Sequence, residues 1–239
     1  MNVNWFDSLD STNSEALRHL ADYPSGTVLA AREQTAGRGQ RGNSWFSEPG
    51  RNLTFSIVLK HVGLKAADSI RLNALTSVAV ASFLERYGVN PVIKWPNDIY
   101  VGGRKICGML IENSLEGALV GASVMGIGIN INQREFPQLA NATSLVLCTG
   151  KEEPLEQALE VFLDIFERLL PALNSTALWD SYSQRLYRLG VQARYHDLLR
   201  DVEFSGVVEG VDPDGRLRIR DLSASCIRLY RFKEVGYIL

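Results

Sequence analysis

A short segment rich in glycine and arginine is the stretch of this sequence best suited to chemistry; it reads Gly37-Arg38-Gly39-Gln40-Arg41-Gly42. Glycines let backbone N–H groups come close to a ligand, and arginine offers a planar set of donors that is always charged. Such a loop suits a phosphate or a carboxylate. We therefore predict an anion-binding loop within residues 33–51, with a flexible surface loop as the ordinary alternative.

The glycines of this loop also match the GxGxxG spacing of dinucleotide-binding proteins, but their context excludes that function. The motif needs a long helix directly after it and an acidic residue roughly 20 positions further on. Residues 43–50 cannot form a long helix, and residues 57–62 contain no acidic side chain. The loop is therefore not predicted to begin a Rossmann domain.

Two further clusters combine polar side chains with a reversal of the chain. In the segment Lys94-Trp95-Pro96-Asn97-Asp98, the proline ends a strand and leaves Asn97 and Asp98 at a turn with free side chains. In the segment from Gly103 to Gly108, Lys105 begins a strand. Its side chain lies on the face of the strand opposite to the apolar side chain of Ile106, the next residue. An Asx turn and a solvated hairpin lysine are the ordinary alternatives.

A fourth motif places glycines inside an apolar strand, Gly126-Ile127-Gly128-Ile129-Asn130. Glycines within strands often mark the close approach of a ligand or of another backbone. A tightly packed core strand is the alternative.

Strands and helices must position these motifs, and the pattern of apolar residues predicts both. Thr12 is the expected N-cap of the first helix, with Glu15 completing a capping box. After Gly190 the sequence pattern predicts short strands and no helix, which is consistent with a small barrel. Strands are predicted at 3–6, 27–31, 53–60, 92–95, 99–101, 105–112, 119–131, 202–211, 216–220 and 227–232. Helices are predicted from residue 12 to about residue 21 and at 66–87, 155–173 and 176–189.

Composition narrows the class of protein. The 239 residues are 46% hydrophobic and carry a formal net charge of −2, which argues against a disordered chain and against bulk nucleic-acid binding. No apolar run is long enough to cross a bilayer, and the N-terminus lacks the pattern of a signal peptide. The cysteines and histidines lack metal-ligand spacing, and neither a P-loop nor a GxSxG motif is present. These features predict an enzyme or binding protein of a reducing compartment, the cytoplasm.

Taken in order, the motifs resemble those of biotin–protein ligases. Ser11-Thr12-Asn13 comes first, followed by the glycine–arginine loop with Trp45, the Lys94–Asp98 segment, the Gly103–Gly108 segment and the glycine-containing strand. Each motif alone is weak, but their order and spacing over about 130 residues are characteristic. The resemblance covers essentially the whole chain, because this family also ends in a small SH3-like β domain.

The resemblance implies an α+β fold, in which a central mixed β-sheet flanked by helices forms a class II synthetase-like catalytic domain. It implies a division into a catalytic domain at 1–188 and an SH3-like β-barrel at 189–239. It also implies an ATP-dependent ligase that makes biotinyl-5′-AMP and transfers biotin to a lysine of a biotin carboxyl carrier protein domain. The partners are then biotin, ATP with Mg²⁺ and the carrier domain, with no DNA and no membrane; monomer and homodimer both stay open.

The resemblance also implies roles for particular residues. Lys105 and Arg38 are the catalytic candidates, and Mg²⁺ is placed near Asn130 without a certain ligand set. The biotin-binding candidates are Ser11, Thr12, Asn13, Gln34, Arg38, Gly39, Gln40, Lys105 and Gly108. The ATP-binding candidates are Arg38, Arg41, Trp45, Asn97, Asp98, Lys105 and Asn130.

The chain departs from the family pattern at Gln40, where some members carry a third loop arginine, and around Glu234, where a Gly-Glu pair is frequent. Only ten residues precede Ser11, so we expect a monofunctional form without an N-terminal DNA-binding domain. A lipoate or octanoate ligase or transferase and a non-catalytic nucleotide-binding adaptor are the alternatives. Because Trp45 lacks an obvious partner, residues 36–48 are expected to be mobile until a ligand closes them.

Overall fold

The computed structural model describes residues 1–137, 139 and 141–238, and it describes Arg41 without its side chain. Strands β1 to β7 form one sheet in the order β1-β2-β3-β7-β6-β5-β4. The pair β1 and β2 is parallel and the other pairs are antiparallel, so the sheet is mixed, as predicted. The strands are β1 (Asn2–Leu9), β2 (Thr27–Gln34), β3 (Leu53–Lys60), β4 (Pro91–Lys94), β5 (Asp98–Val101), β6 (Arg104–Glu116) and β7 (Leu119–Ile129).

Helices cover both faces of this sheet, because its central strands are apolar on both sides. Val28 and Ala30 of β2 face the main core, whereas Leu29 between them packs with Ala16 of the first helix. Two long helices pack against each other over the main core, and Phe162 of one of them contacts Phe55 of β3. The helices are α1 (Thr12–Arg18), α2 (Ile70–Glu85), α3 (Leu145–Thr149), α4 (Leu155–Leu169) and α5 (Thr176–Gln184).

A second, antiparallel sheet forms the C-terminal part, in the order β11-β10-β9-β8-β12. It packs against the first part rather than standing apart from it: the indole N–H of Trp95 donates to the Gly215 carbonyl oxygen at 3.1 Å, and Tyr195, Phe204 and Tyr230 belong to the same core. Its strands are β8 (Gln192–Asp197), β9 (Val202–Val211), β10 (Leu217–Asp221), β11 (Cys226–Tyr230) and β12 (Val235–Tyr237).

Several element boundaries differ from the sequence-based expectation. The N-cap of α1 is Ser11 rather than Thr12, because the Ser11 hydroxyl accepts a hydrogen bond from the Ser14 N–H, and Thr12 is buried within the first turn. The helix predicted over 155–173 ends at Leu169, and a 3₁₀ turn containing Pro171 follows. Strands β8 and β12 and the short helix α3 were not predicted, because they lack a clear apolar period.

Candidate active site

A cavity of about 350 Å³ lies where the four sequence motifs meet. The sheet order explains the meeting, because β3, β7, β6 and β5 are neighbours and each contributes residues from one face or one end. Most of the predicted site residues line this cavity: Ser11, Thr12, Asn13, Gln34, Arg38, Gly39, Gln40, Trp45, Asn97, Asp98, Lys105 and Gly108.

One end of the cavity is a neutral polar network around the first turn of α1. Gln34 accepts two hydrogen bonds on Oε1, from the Thr12 backbone N–H at 2.8 Å and from the Thr12 hydroxyl at 3.1 Å. The Ser56 hydroxyl of β3 donates to the side-chain Oδ1 of Asn13 at 2.6 Å and lies 2.7 Å from the Thr12 hydroxyl. Ser11, Thr12, Asn13 and Ser56 are all buried, so this end is fixed by hydrogen bonds that solvent does not disturb.

Two residues that shape the neutral end, Ser56 and Glu112, were not singled out in the sequence, and a third, Gly126, was noted only as part of the glycine motif. Ser56 is buried under the network, and Glu112 of β6 accepts a hydrogen bond from the Asn13 amide at 2.9 Å. Gly126 of β7 leaves room for Asn13, since a Cβ at this position would lie 2.8 Å from the Asn13 Cγ. The glycine motif had indicated such a close approach, but only the fold identifies the neighbour.

The glycine–arginine loop folds over the cavity as a compact reversal of the chain. The Gly39 N–H donates to the Asn43 carbonyl oxygen at 2.7 Å, and the Trp45 N–H donates to the Gly37 carbonyl oxygen at 2.9 Å. The Arg38 guanidinium points back to β6, where it donates two hydrogen bonds to the Glu112 carboxylate, at 2.8 and 3.1 Å. Arg38 is therefore already paired with an acid of the protein.

Trp45 lies against the two glycines of the neighbouring strands. A Cβ at Gly108 would come within 2.9 Å of its ring, and a Cβ at Gly128 within 2.6 Å. Its indole N–H is buried and has no hydrogen-bond partner among the described residues. The expectation that Trp45 lacks a packing partner is therefore wrong, because these two glycines form a slot for its ring.

The other end of the cavity carries charge. The Lys105 ammonium pairs with the Asp98 carboxylate at 2.8 Å and lies 5.7 Å from the centre of the Trp45 ring. Lys94, which had not been assigned a role, also lines the cavity and lies over the rings of Tyr100 and Tyr237. Burial lowers the pKa of Lys94, although the charge of Asp98 opposes this shift.

One predicted residue has another position. Asn130 does not line the cavity; it is buried, and its amide donates to the Thr143 carbonyl oxygen at 2.9 Å. The side chain of Arg41 lies outside the described residues. Asn97 lines the cavity, but its side-chain amide donates to the Met109 carbonyl oxygen. The backbone carbonyl oxygen of Asn97 in turn accepts from the Met109 N–H. Asn97 therefore also fixes the turn between β4 and β5 against β6.

The described residues contain no group of three or more His, Cys, Asp or Glu side chains that could hold a metal ion. Asp98 at the charged end is paired with Lys105, and Glu112 is paired with Arg38. A protein-held Mg²⁺ site near Asn130 therefore finds no support in the donor set of the described residues.

The C-terminal sheet completes the cavity wall. Leu198, Phe232 and Tyr237 line it together with the β4–β5 turn. Tyr237 contacts Tyr187 and Tyr195 and presents its ring to Lys94. The second sheet therefore contributes directly to the charged end.

The arrangement can bind a neutral polar ring at one end and an anionic group at the other. Group transfer at phosphorus requires positioning and stabilisation of negative charge more than a histidine base. Lys94, Lys105 and Arg38 line the same cavity and supply that charge, and Trp45 offers a flat apolar surface beside them.

The chain is similar to known proteins in sequence and in structure. Residues 5–130 match the model of the biotin/lipoate A/B protein ligase family. The bifunctional ligase/repressor BirA of Bacillus subtilis is 32% identical over 226 residues, which are 89% of this chain and 67% of that protein. The biotin–[acetyl-CoA-carboxylase] ligase of Paracoccus denitrificans is 30% identical over 88% of this chain and 91% of that protein.

The fold is also similar to that of a solved biotin protein ligase. A biotin protein ligase of Aquifex aeolicus, solved in complex with biotin and ATP, superposes with a TM-score of 0.81 over 98% of this chain and 97% of that chain, at 26% identity. Among the described residues, no helix combines the length and apolar character needed to span a membrane.

Proposed function

Because this chain belongs to the biotin/lipoate A/B protein ligase family, we propose that its cavity joins biotin to ATP as biotinyl-5′-AMP and then passes the biotinyl group to a lysine of a carrier protein. The observation that carries the proposal is the meeting, in one cavity, of a buried neutral polar network and a cluster of cations. The ureido ring of biotin matches the first, and a polyphosphate matches the second.

The neutral end binds the biotin ring. Ser11, Thr12, Asn13 and Gln34 offer hydroxyl and amide groups that can donate to and accept from a ureido group. Because these side chains are held by each other and by Ser56, little freedom is lost when the ligand binds. Gly39, Gln40 and Gly108 also line the cavity and contact the part of biotin that extends from this end to the charged end.

In the first step, a carboxylate oxygen of biotin attacks the α-phosphorus of ATP. A new P–O bond forms, and the bond to the bridging oxygen breaks, so that pyrophosphate leaves with the electron pair. Lys105 stabilises the charge that develops around the phosphorus and the biotin carboxylate, and Arg38 adds a second preorganised cation. Trp45 stacks with the adenine, while Asn97 and Asp98 hold the turn and the lysine in place.

In the second step, the amine of a carrier lysine attacks the carbonyl carbon of the mixed anhydride. An amide bond forms, AMP leaves with the electron pair of the C–O bond, and the amine loses a proton. The glycine–arginine loop and the wall formed by Phe232 and Tyr237 restrict the access of water to the anhydride.

The carrier domain of a biotin-dependent carboxylase is the protein partner, and the cytoplasm is the location. The catalytic part comprises residues 1–188 and the C-terminal β part residues 189–239. Arg41 keeps its proposed place near the nucleotide, whereas Asn130 supports the Thr143 backbone outside the cavity lining. Mg²⁺ enters with the phosphates of ATP, which bind it in sites of this kind.

The experiment that tests the function is the exchange of labelled pyrophosphate into ATP, run with biotin, with lipoate, with octanoate and with no acid. Biotin-dependent exchange is expected, followed by a mass increase of one biotinyl group on a purified carrier domain. Exchange that depends on lipoate or octanoate would establish the related ligase instead. Nucleotide binding without exchange for any of these acids would establish a non-catalytic protein.

A further inference from the structure

The neutral end of the cavity and the glycine–arginine loop meet on one side chain, Glu112. Its carboxylate accepts two hydrogen bonds from the Arg38 guanidinium and one from the Asn13 amide, at 2.8 to 3.1 Å. Glu112 belongs to the middle of β6, where it is paired with Val124 of β7. It is therefore a fixed point in the sheet, whereas Arg38 stands in a loop.

We propose that Glu112 is a positioning residue: it holds the Arg38 guanidinium and the Asn13 amide in the geometry that adenylation requires. The inference rests on the proposed function, since it assigns Glu112 a part in that same reaction. Glu112 itself binds no substrate and acts through Arg38 and Asn13, which do.

Glu112 can accept hydrogen bonds from Arg38 and still leave this arginine able to bind an anion. A bidentate carboxylate fixes both the place and the plane of a guanidinium, which a single contact does not. With Nη1 and Nη2 each giving one N–H to Glu112, Arg38 keeps its remaining N–H donors for a second acceptor. Glu112 therefore orients the guanidinium without using all its donors.

Without this pair, the loop would have few side-chain attachments near its tip. The neighbouring residues Gly37, Gly39 and Gly42 carry no side chains, and the other contact of Arg38 is a long one, 3.5 Å to the Ser14 hydroxyl. The cleft between the loop and β6 is lined by Arg38, Leu110 and Glu112 among others, so releasing Arg38 gives the guanidinium room to move.

The contact with Asn13 extends the same constraint to the neutral end. The Asn13 side-chain nitrogen donates to the Glu112 carboxylate and to the Leu110 backbone carbonyl oxygen, and Ser56 donates to the Asn13 Oδ1, so the direction of the amide is fixed. The amide of Asn13 is therefore oriented by a charge at one side and a hydroxyl at the other. Glu112 couples the orientation of the biotin end to that of the loop.

Two variants of Glu112 test the proposal in biotin-dependent pyrophosphate exchange. Glu112→Ala removes all three hydrogen bonds, and a displacement of about 1 Å in a positioned group lowers rates by roughly 10², so we expect kcat to fall at least tenfold. Glu112→Gln keeps the size of the side chain, offers one acceptor instead of two, and is expected to lose severalfold. Biotin KM should rise in both, through Asn13.

The matched control is Glu116→Ala, which removes a carboxylate from the same strand. Glu116 is exposed, lies nearest His61 and does not line the cavity. This variant should exchange pyrophosphate as the wild type does. Equal losses for the two positions would assign the effect to the strand and overturn the proposal.

A double variant separates positioning through Arg38 from general damage. At saturating biotin, Glu112→Ala should lower kcat at least tenfold in the wild-type background and less than twofold in the Arg38→Ala background. Amide hydrogen exchange of residues 37–44 should speed up in Glu112→Gln, with β7 unchanged. Equal losses in both backgrounds, or normal kcat in both Glu112 variants, would overturn the inference; a wild type inactive with biotin would instead overturn the proposed function.

Discussion

The two ends of the cavity are built in different ways. At the neutral end, Thr12, Asn13 and Ser56 are buried and hydrogen-bonded to one another. At the charged end, Lys105 is about one quarter exposed and is paired with Asp98, a carboxylate that is equally exposed. The first end resembles a protein core in its order, and the second resembles a surface in its access to water.

This difference determines what each end of the cavity can contribute to binding and to the reaction. A buried and satisfied network discriminates by shape and hydrogen bonding, because a ligand that leaves one of its groups unpaired loses the full cost of desolvation. A partly solvated cluster of cations can exchange its partners, because the ion pairs there are weak in water. The neutral end therefore selects the acid, and the charged end serves the reaction.

The largest expected effect comes from removing Lys105 from the charged end. Loss of a preorganised contact to a developing negative charge costs ~10²–10³ in rate, so Lys105→Ala should lower kcat for pyrophosphate exchange by that factor. Lys151→Ala, a change at an exposed lysine outside the cavity, is the control. Near-normal exchange by Lys105→Ala would remove Lys105 from the mechanism.

Trp45 tests whether the flat surface beside the cations serves the nucleotide. Stacking of a base on an aromatic ring contributes roughly 1–3 kcal/mol, so Trp45→Ala should raise the KM for ATP about tenfold or more. Biotin binding without nucleotide should stay as in the wild type. The neighbouring Phe46→Ala is the control, because that ring is exposed and does not line the cavity. An unchanged KM for ATP would make Trp45 a packing residue.

A smaller effect is expected from the pH dependence of Lys94. Burial lowers the pKa of Lys94, so its charge is lost at a lower pH than that of an ordinary lysine, which titrates near 10.4. Exchange by the wild type should therefore fall on the alkaline side. Lys94→Arg keeps its charge at every pH of the experiment, so the fall in its exchange rate should begin at a higher pH. At alkaline pH its rate, relative to its own maximum, should exceed that of the wild type severalfold. Superimposable pH profiles would show that the charge of Lys94 does not contribute.

Much of this site could be predicted from the sequence. The order of the motifs indicated the residues that meet in the cavity, since motifs at strand ends converge wherever the strands are neighbours. The alternation of apolar residues in β3 and the turn at Asn97 and Asp98 were also sufficient to place those elements.

The contacts between motifs could not be predicted in the same way. Glu112 stands in a strand with no signal of its own, and its pairing with Arg38 depends on how the loop folds back over β6. The slot for Trp45 needs two glycines from different strands, Gly108 and Gly128, which the register of β6 and β7 places directly opposite each other. Asn130 shows the converse, because a polar residue in a motif became a support for the Thr143 backbone.

Two glycines of one strand offer the most direct test of the two-ended cavity. Gly126 and Gly128 lie two residues apart in β7, so they share a face, and both have backbone conformations that alanine can adopt. An added Cβ at Gly126 meets Asn13, whereas one at Gly128 meets Trp45. The two substitutions add the same methyl group at opposite ends.

The measurement is calorimetric titration of Gly126→Ala and Gly128→Ala with biotin in the absence of ATP, on variants whose thermal unfolding matches the wild type. Displacing a buried hydrogen-bonding group costs about 1–3 kcal/mol, so Gly126→Ala should bind biotin roughly tenfold more weakly or worse, and Gly128→Ala should bind it within about twofold of the wild type. Equal weakening in the two variants, or normal binding by Gly126→Ala, would contradict the assignment of biotin to the neutral end.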